Sequence, residues 1–181
     1  MVTFAPGPSK VYDSLPKYMQ EAYEKGILSA NHRSAVFMKL YQETETLMRE
    51  KLHMSQDYKM LFTSSATENW EIISQSIVQS AGYHIFSGSF GKKWYEYAKY
   101  IEPKTFAHKL DADKTVDVES LQIGEEFDLI AITQNETSNA TQVTNETIAA
   151  IANKYPEKMI AVDTTSSMAG IELDFTLADI W

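Results

Sequence analysis

The feature that most constrains the fold is a regular alternation of short apolar runs with polar clusters and helical segments. Each apolar run is followed by small or hydroxylated residues, and most of these clusters lead into a segment with helical spacing. Parallel strands need a crossover long enough to hold a helix, so this alternation indicates a mainly parallel sheet with helices on both faces. The sequence therefore predicts an α/β fold with strands at 60–62 (MLF), 83–86 (YHIF), 127–133 (FDLIAIT) and 159–162 (MIAV).

Amphipathic helices are predicted between these strands and before the first of them. From Ser34 to Leu52, apolar residues recur at helical spacing with charged residues between them. The other helical segments are 69–82 (NWEIISQSIVQSAG), 92–100 (KKWYEYAKY) and 142–155 (QVTNETIAAIANKY). With 181 residues, 44% of them hydrophobic, the chain can bury one substantial core. We therefore expect an N-terminal arm over residues 1–15 and a single large domain, or part of one, over residues 16–181.

Charge and cysteine content exclude several classes of function. The 25 acidic residues outnumber the 16 basic ones, which gives a formal charge of −9 and argues against general binding to nucleic acid or an anionic membrane. The absence of cysteine removes disulfides, thiolate zinc sites and a cysteine nucleophile, and we predict no metal site. The first residues, MVTFAPGPSKVYDSLP, resemble neither a signal peptide nor a membrane span. A cytoplasmic location is expected.

Ligands of open α/β sheets bind beyond the carboxyl ends of the strands, so the polar clusters after the strands are the candidate site. In the first cluster, TSSATE (63–68), Ser65 and Glu68 fit a capping box. A helix N-terminus with small residues also suits a phosphate, because its amides are unpaired and the helix dipole attracts anions. The chain contains no GxxxxGK[ST] or GxGxxG motif that would indicate a nucleotide.

The next two clusters each allow a structural and a ligand-binding interpretation. In SGSFGKKW (87–94), Phe90 either packs on the following helix or presents a flat face to a planar ring. In NETSNAT (135–141), the polar residues either form a turn that caps the next helix, or supply Asn135 and Thr137 as hydrogen-bond donors to a ligand.

Asp163 discriminates best between these interpretations. It ends a buried apolar run, MIAV, and an ionised carboxylate there requires a partner or several hydrogen bonds. Strand-terminal Asp residues commonly cap the segment that follows. The alternative partner is the protonated ring nitrogen of a pyridine, the pairing that keeps pyridoxal phosphate an electron sink. A phosphate cradle, a stacking ring, hydroxyl donors and a terminal Asp together describe that one ligand.

In order along the chain, six segments resemble the class V, fold-type I pyridoxal-phosphate aminotransferases, and within them the phosphoserine aminotransferases most. They are FAPGPSKV (4–11), NHRSAVF (31–37), TSSATE, SGSFGKKW, NETSNAT and VDTTSSMAG (162–170). Each motif is weak alone, but six in the family's order form a specific signature that covers essentially the whole chain. The resemblance implies the large-domain portion of such an enzyme, truncated at its C-terminal end.

The resemblance also implies a role for particular residues. Ala66 and Thr67 would contact the phosphate of pyridoxal 5′-phosphate, Phe90 would stack on its ring, Thr137 would bond its ring hydroxyl, and Asp163 would meet its ring nitrogen. His32 and Arg33 would bind the substrate. The family's Schiff-base lysine follows a stretch like DFTLADIW, which here is residues 174–181, so it is expected beyond Trp181 and no catalytic residue of this kind is expected within the chain.

The reaction implied by the resemblance is transamination between glutamate and 3-phosphohydroxypyruvate, which yields 2-oxoglutarate and phosphoserine in serine biosynthesis, with amino acids and keto acids as partners in a homodimer. Serine–glyoxylate and alanine–glyoxylate aminotransferases have similar segments and remain alternatives. Cysteine desulfurases rank lower because they usually stack a His where this chain has Phe90. A non-catalytic binding or dimerisation protein with an aminotransferase fold also remains open.

Overall fold

A computed structural model describes residues 10–181 of the chain. By their internal contacts the described residues divide into two compact units, 10–56 and 57–181. Of the arm segment FAPGPSKV, all but the last two residues lie outside the described part. The predicted division into residues 1–15 and 16–181 stays a prediction.

The first unit contains two α-helices. Helix α1 spans Leu15–Glu24, a 3-10 turn spans Ile27–Ser29, and α2 spans Ala35–Leu52. The predicted amphipathic helix is confirmed as α2: the Ser34 hydroxyl accepts from the Phe37 N–H at 3.2 Å as its N-cap, and His53, at a φ of 55°, ends it. None of residues 10–56 is buried.

The second unit alternates helices and strands as predicted. Its elements, in chain order, are α3 (Ala66–Ser76), β1 (Gly82–Phe86), α4 (Ser89–Ile101), β2 (Phe106–Lys109), β3 (Leu129–Thr133), β4 (Asn135–Glu136), β5 (Thr141–Gln142), α5 (Asn145–Lys154), β6 (Met159–Asp163) and a 3-10 turn (Phe175–Leu177).

Four of these strands form a parallel sheet in the order β2-β1-β3-β6. Ile132 of β3 lies opposite Ile85 of β1 and Val162 of β6, and Thr133 lies opposite Asp163. Beside β6, Ile180 forms a further parallel bridge with Ala161. Because the strands are parallel, the ends of β1, β3 and β6 meet at one edge of the sheet, which places the predicted ligand-binding clusters together.

Helices cover both faces of the sheet, which confirms the predicted α/β architecture. Alternate residues of a strand face opposite sides. On one face, Ile130 and Ile132 pack with Ile148 and Ile151 of α5. The residues of the other face pack with Trp70 of α3 and Trp94 of α4; they are Leu129, Ala131 and Ala161. Both faces are apolar, so the strands have no polar alternation and appear in the sequence as continuous apolar runs.

The strand predicted at 60–62 is wrong. Met60 is buried, but Leu61 and Phe62 are exposed and the run forms no strand. A three-residue run offers few ladder hydrogen bonds, and the edge beside β6 is used by Ile180, whose carbonyl accepts from the Val162 N–H at 2.8 Å. Tyr58, two residues before this run, donates its hydroxyl to backbone carbonyls of the 175–178 segment.

Further details differ from the sequence prediction: helix α1 and the hairpin of β4 and β5 were not predicted. Strand β2 was not predicted, because it is a short edge strand without a continuous apolar run. Helix α3 ends at Ser76 and not at Gly82. The Asp128 carboxylate accepts from the N–H groups of Gln79, Ser80 and Ala81 at 2.6–3.1 Å, and this holds residues 79–81 in a turn before β1.

Candidate functional site

Hydrogen bonds join the segments that follow β3 and β6 at the carboxyl edge of the sheet. The Gln134 N–H donates to the Asp163 carbonyl at 3.1 Å, and the buried Gln134 side chain accepts from the Ser167 hydroxyl at 2.6 Å. Beside them, the Asn135 amide donates to the Ser166 hydroxyl at 3.1 Å. The two segments are therefore held against each other by their own polar groups.

Asp163 lies at this edge, half-buried at the end of β6, and its carboxylate accepts three hydrogen bonds. Oδ1 accepts from the Thr165 N–H at 2.9 Å and from the Thr165 hydroxyl at 2.6 Å, so the capping interpretation is confirmed. Oδ2 accepts from the Trp70 indole N–H at 3.1 Å. A carboxylate oxygen has two acceptor positions, so Oδ2 can still accept from a ligand, and capping does not compete with the ligand-binding role.

Trp70 extends from α3 to Asp163 across the face of the sheet. Its ring stacks on Trp94 of α4, with centroids 6.2 Å apart and planes 12° from parallel. His84 of β1 in turn contacts Trp94 edge to face at 5.3 Å. This aromatic layer fixes the indole N–H that orients the carboxylate.

The N-terminus of α3 supplies unpaired donors. The Ser65 hydroxyl accepts from the Glu68 N–H at 3.2 Å, so half of the predicted capping box is present. The Glu68 carboxylate accepts from the Ser64 hydroxyl and from the Ser64 N–H, both at 2.6 Å. In a complete capping box it would accept from the Ser65 N–H instead. The bonds to Ser64 lower the pKa of Glu68. In the described part of the chain, the N–H groups of Ala66 and Thr67 have no acceptor, as is usual in the first turn of a helix.

Phe90 lies in the first turn of α4 with 51% of its surface exposed. The helix begins after Gly88, which has no capping side chain. Glu136, which is 1% exposed, takes that place: its carboxylate accepts from the N–H groups of Phe90 and Gly91 at 3.1 and 3.0 Å. A Cβ on Gly88 would lie 2.3 Å from the Glu136 side chain, so only glycine admits the carboxylate here.

Thr137 lies at the tip of the hairpin formed by β4 and β5. Its hydroxyl, half-buried, makes no hydrogen bond within residues 10–181. A free hydroxyl, an exposed aromatic face, a strand-terminal carboxylate and two unpaired helical N–H groups thus belong to one edge of the sheet. Such groups suit a planar, nitrogen-containing ring that carries a hydroxyl and an anionic group.

The predicted substrate residues belong to the first unit. His32 and Arg33 are exposed in the turn before α2, where the Arg33 N–H donates to the Asn31 side chain at 2.8 Å. Arg49, the only other arginine in the sequence, forms a 2.7 Å ion pair with Glu45 within α2. The substrate-binding role of His32 and Arg33 stays a prediction.

Lys158 has a structural role at the opposite edge of the sheet. It precedes β6, is buried, and donates its ammonium to the carbonyls of Gly124 and Phe127 at 3.0 and 2.8 Å. At about 3.3 Å per residue, its Cα lies roughly 16 Å from that of Asp163. At the start of α4, Lys92 pairs with Glu96 at 3.3 Å.

Two residues of the site were not found by sequence reasoning. In the sequence, Trp70 is only one residue of the helical segment 69–82, and Glu136 only one residue of the polar cluster 135–141. Glu136 follows β3 by three residues, and Gly88 leaves α4 without a capping side chain. These two facts together are a weak indication in the sequence that Glu136 caps α4.

Across residues 10–181, no three His, Cys, Asp or Glu side chains are grouped to hold a metal ion. No helix there is long and apolar enough to cross a bilayer.

A protein-family model and several known proteins match this chain over nearly its whole length. The family model for class V aminotransferases matches residues 4–180. Phosphoserine aminotransferases of Lactococcus lactis subsp. cremoris (strain SK11) and Corynebacterium glutamicum (strain R) are 24% and 22% identical over 94% and 98% of this chain. The matches cover 50% and 46% of those relatives, so the chain spans about half their length.

Solved structures show the same fold. A phosphoserine aminotransferase from Cytophaga hutchinsonii matches with a TM-score of 0.89 and 30% identity, over 96% of this chain and 48% of that one. A pyridoxal-phosphate-bound phosphoserine aminotransferase from Trichomonas vaginalis matches with a TM-score of 0.65 and 16% identity, over 89% of this chain and 47% of that one. At that identity the second match supports the fold alone.

Proposed function

Because the chain belongs to the class V aminotransferase family, as its motifs predicted, we propose that it binds pyridoxal 5′-phosphate at the carboxyl edge of its sheet and acts as a transaminase. The observation that carries the proposal is the half-buried Asp163, which retains an acceptor position on Oδ2 after binding Trp70 and Thr165. An acidic partner keeps the ring nitrogen of this cofactor protonated, which makes the ring an electron sink.

The residues at the edge fit the cofactor. The free N–H groups of Ala66 and Thr67 would hold its phosphate, the exposed face of Phe90 would cover its ring, and the Thr137 hydroxyl would bond its ring hydroxyl. When bound, the cofactor supplies an electron sink for the charge left by loss of an α-proton. Asp163 would hold the proton at the ring nitrogen, and Trp70 and Thr165 orient its carboxylate for that task.

We propose that the lysine that binds the cofactor covalently lies C-terminal to Trp181. Lys158 is bonded to carbonyls at the amino edge of the sheet, and Lys92 is paired along α4. The test is to reduce the cofactor complex of the full-length protein with borohydride and map the modified peptide by mass spectrometry. A stoichiometric adduct on any lysine from Lys10 to Lys158 refutes this assignment.

The substrate pair favoured is glutamate with 3-phosphohydroxypyruvate. The support is the set of phosphoserine aminotransferase relatives and the exposed guanidinium of Arg33, which suits a phosphate or a carboxylate. The full-length protein should be assayed with this pair and, in parallel, with serine or alanine as donor to glyoxylate. Faster turnover of glyoxylate refutes the phosphoserine assignment, and no turnover of any pair favours a non-catalytic protein with this fold.

The protein is proposed to be a cytoplasmic homodimer. None of residues 10–56 is buried, and several of their apolar side chains are more than half exposed, including Tyr18, Leu28 and Leu47. An apolar surface of this kind is typical of an interface. Sedimentation equilibrium of the full-length protein tests the assembly. A monomer at micromolar concentration refutes it, and Leu47→Lys should weaken the dimer if this surface is buried in it.

A further inference from the structure

We infer that Glu136 is a positioning residue that holds two sides of the cofactor site, the Phe90 face and the Thr137 hydroxyl, in one arrangement. The inference rests on the proposed function, because it assigns the purpose of the arrangement to cofactor binding. Glu136 does not itself contact the ring; it acts through the backbone of its neighbours.

One buried carboxylate joins two loops that are far apart in sequence. On the α4 side it accepts from the N–H groups of Phe90 and Gly91 at 3.1 and 3.0 Å. On the hairpin side it accepts from the Ser138 hydroxyl at 2.6 Å and from the Ser138 N–H at 3.2 Å. The Ser138 hydroxyl also accepts from the Ser89 N–H at 2.9 Å, which closes the connection.

Both oxygens of the side chain at position 136 have to accept hydrogen bonds. In the described part of the chain, four groups donate to the Glu136 carboxylate, and three of them are backbone N–H groups. A carboxylate there is further stabilised by the N-terminal end of the α4 dipole. An amide in its place would turn an NH₂ group toward at least one N–H donor. Glu136→Gln therefore keeps the volume and breaks the connection.

The consequence for the site is geometric. Phe90 is itself one of the residues whose N–H is held, and Thr137 lies between Glu136 and Ser138, which are bonded to each other. Without the carboxylate, the Ser89–Ser138 and Ser87–Thr141 hydrogen bonds remain, but the bonds that hold the N–H groups of Phe90 and Gly91 to the hairpin are lost. The first turn of α4 is then held less tightly to the hairpin tip. The Phe90 side chain and the Thr137 hydroxyl then no longer have one fixed spacing. Cofactor binding has to order them, and this entropic cost weakens binding.

The chain offers a matched control at the other end of β3. The Asp128 carboxylate also accepts from three backbone N–H groups, those of residues 79–81, but at the amino edge of the sheet. Asp128→Asn therefore removes a similar set of bonds away from the cofactor. Ser138→Ala is a milder variant, since Ser138 is exposed and its loss leaves the Glu136 contacts to α4 intact.

The experiment measures, in the full-length protein, the dissociation constant of pyridoxal phosphate and the visible circular dichroism of the bound cofactor, together with amide hydrogen exchange of the cofactor-free form. Glu136→Gln should raise the dissociation constant by about tenfold or more, alter the dichroism band, and speed exchange at residues 90, 91 and 138. Ser138→Ala should change the dissociation constant and the amide exchange in the same direction as Glu136→Gln, by a smaller factor. Asp128→Asn should speed exchange at residues 79–81 and leave cofactor affinity within about twofold.

The outcomes separate this inference from the proposed function. If the unsubstituted protein binds the cofactor but Glu136→Gln weakens binding no more than Asp128→Asn does, the inference alone is refuted. Unchanged exchange at residues 90, 91 and 138 in Glu136→Gln also refutes it, without reference to the cofactor. If the unsubstituted protein does not bind pyridoxal phosphate, the proposed function is refuted and the positioning role is refuted with it.

Discussion

The contribution of the Trp70–Asp163 hydrogen bond to stability can be measured by comparing Trp70 with its neighbour Trp94. Trp70 and Trp94 are stacked and are 5% and 2% exposed. The Trp70 indole N–H donates to Asp163 at 3.1 Å, whereas the buried Trp94 indole N–H has no acceptor in the part of the chain described here. Trp70→Phe and Trp94→Phe remove the same atoms from adjacent sites, so the difference between their effects on stability reports the different hydrogen-bonding states of the two indoles.

The size of that difference follows from the two environments. A hydrogen bond to a charged acceptor stabilises a protein by roughly 1.5–3 kcal/mol, and Trp70→Phe loses it. A buried donor without a partner costs roughly 1–3 kcal/mol, and Trp94→Phe removes that cost. Both variants replace an indole with the same smaller phenyl ring. Trp70→Phe should therefore lower the free energy of unfolding by roughly 2.5–6 kcal/mol more than Trp94→Phe does.

Urea denaturation of both variants in the same buffer, with unchanged m-values, gives this comparison directly. In an Asp163→Ala background the acceptor is gone from both variants, so the excess cost of Trp70→Phe should disappear. Equal losses for the two single variants, or an excess that persists without Asp163, would show that Trp70 contributes by packing alone. The indole would then have no part in orienting the carboxylate.

Three further predictions concern the site and the core. Asp163→Ala in the full-length protein should slow exchange of the substrate α-proton with deuterium by orders of magnitude while the fold survives; a modest effect would leave Asp163 as a cap only. Arg33→Ala should raise KM for a phosphorylated keto acid far more than for its unphosphorylated analogue, whereas Arg49→Ala should not change that ratio; equal losses would favour a carboxylate. Burial lowers the pKa of His84 from 6.5 to about 3, so the unfolded chain binds the proton more readily and the stabilisation is lost as the pH falls from 6.5 toward 3. The free energy of unfolding should thus decline by about 1.4 kcal/mol per pH unit in that range, and a His84→Phe variant with the same slope between pH 6.5 and 5 would contradict this.

The strands that carry the site could be predicted because each is a run of apolar residues too short for a helix. The run at 127–133 contains β3, and the run at 159–162 lies within β6, which ends at Asp163. Parallel pairing then fixed which loops share an edge. The run at 60–62 failed because three apolar residues do not specify a pairing partner, and the bridge beside β6 is made by Ile180.

Local sequence determined where α2 and α3 begin and the chemical character of the site. Ser34 and Ser65 cap α2 and α3 through their own hydroxyls, because a capping side chain acts within a few residues of itself. Asp163 was identified by the conflict between its charge and the apolar run before it, which any arrangement of the chain must resolve.

The partners of the buried carboxylates were decided only by the tertiary structure. The indole that binds Asp163 is 93 residues away in sequence, and the amides that bind Glu136 are 45 and 46 residues away. Hydrogen bonds are directional and short, so which donor meets a given acceptor depends on the packing of α3 and α4 against the sheet. The residue types at the site follow from the sequence, and their fixed spacing follows from the fold.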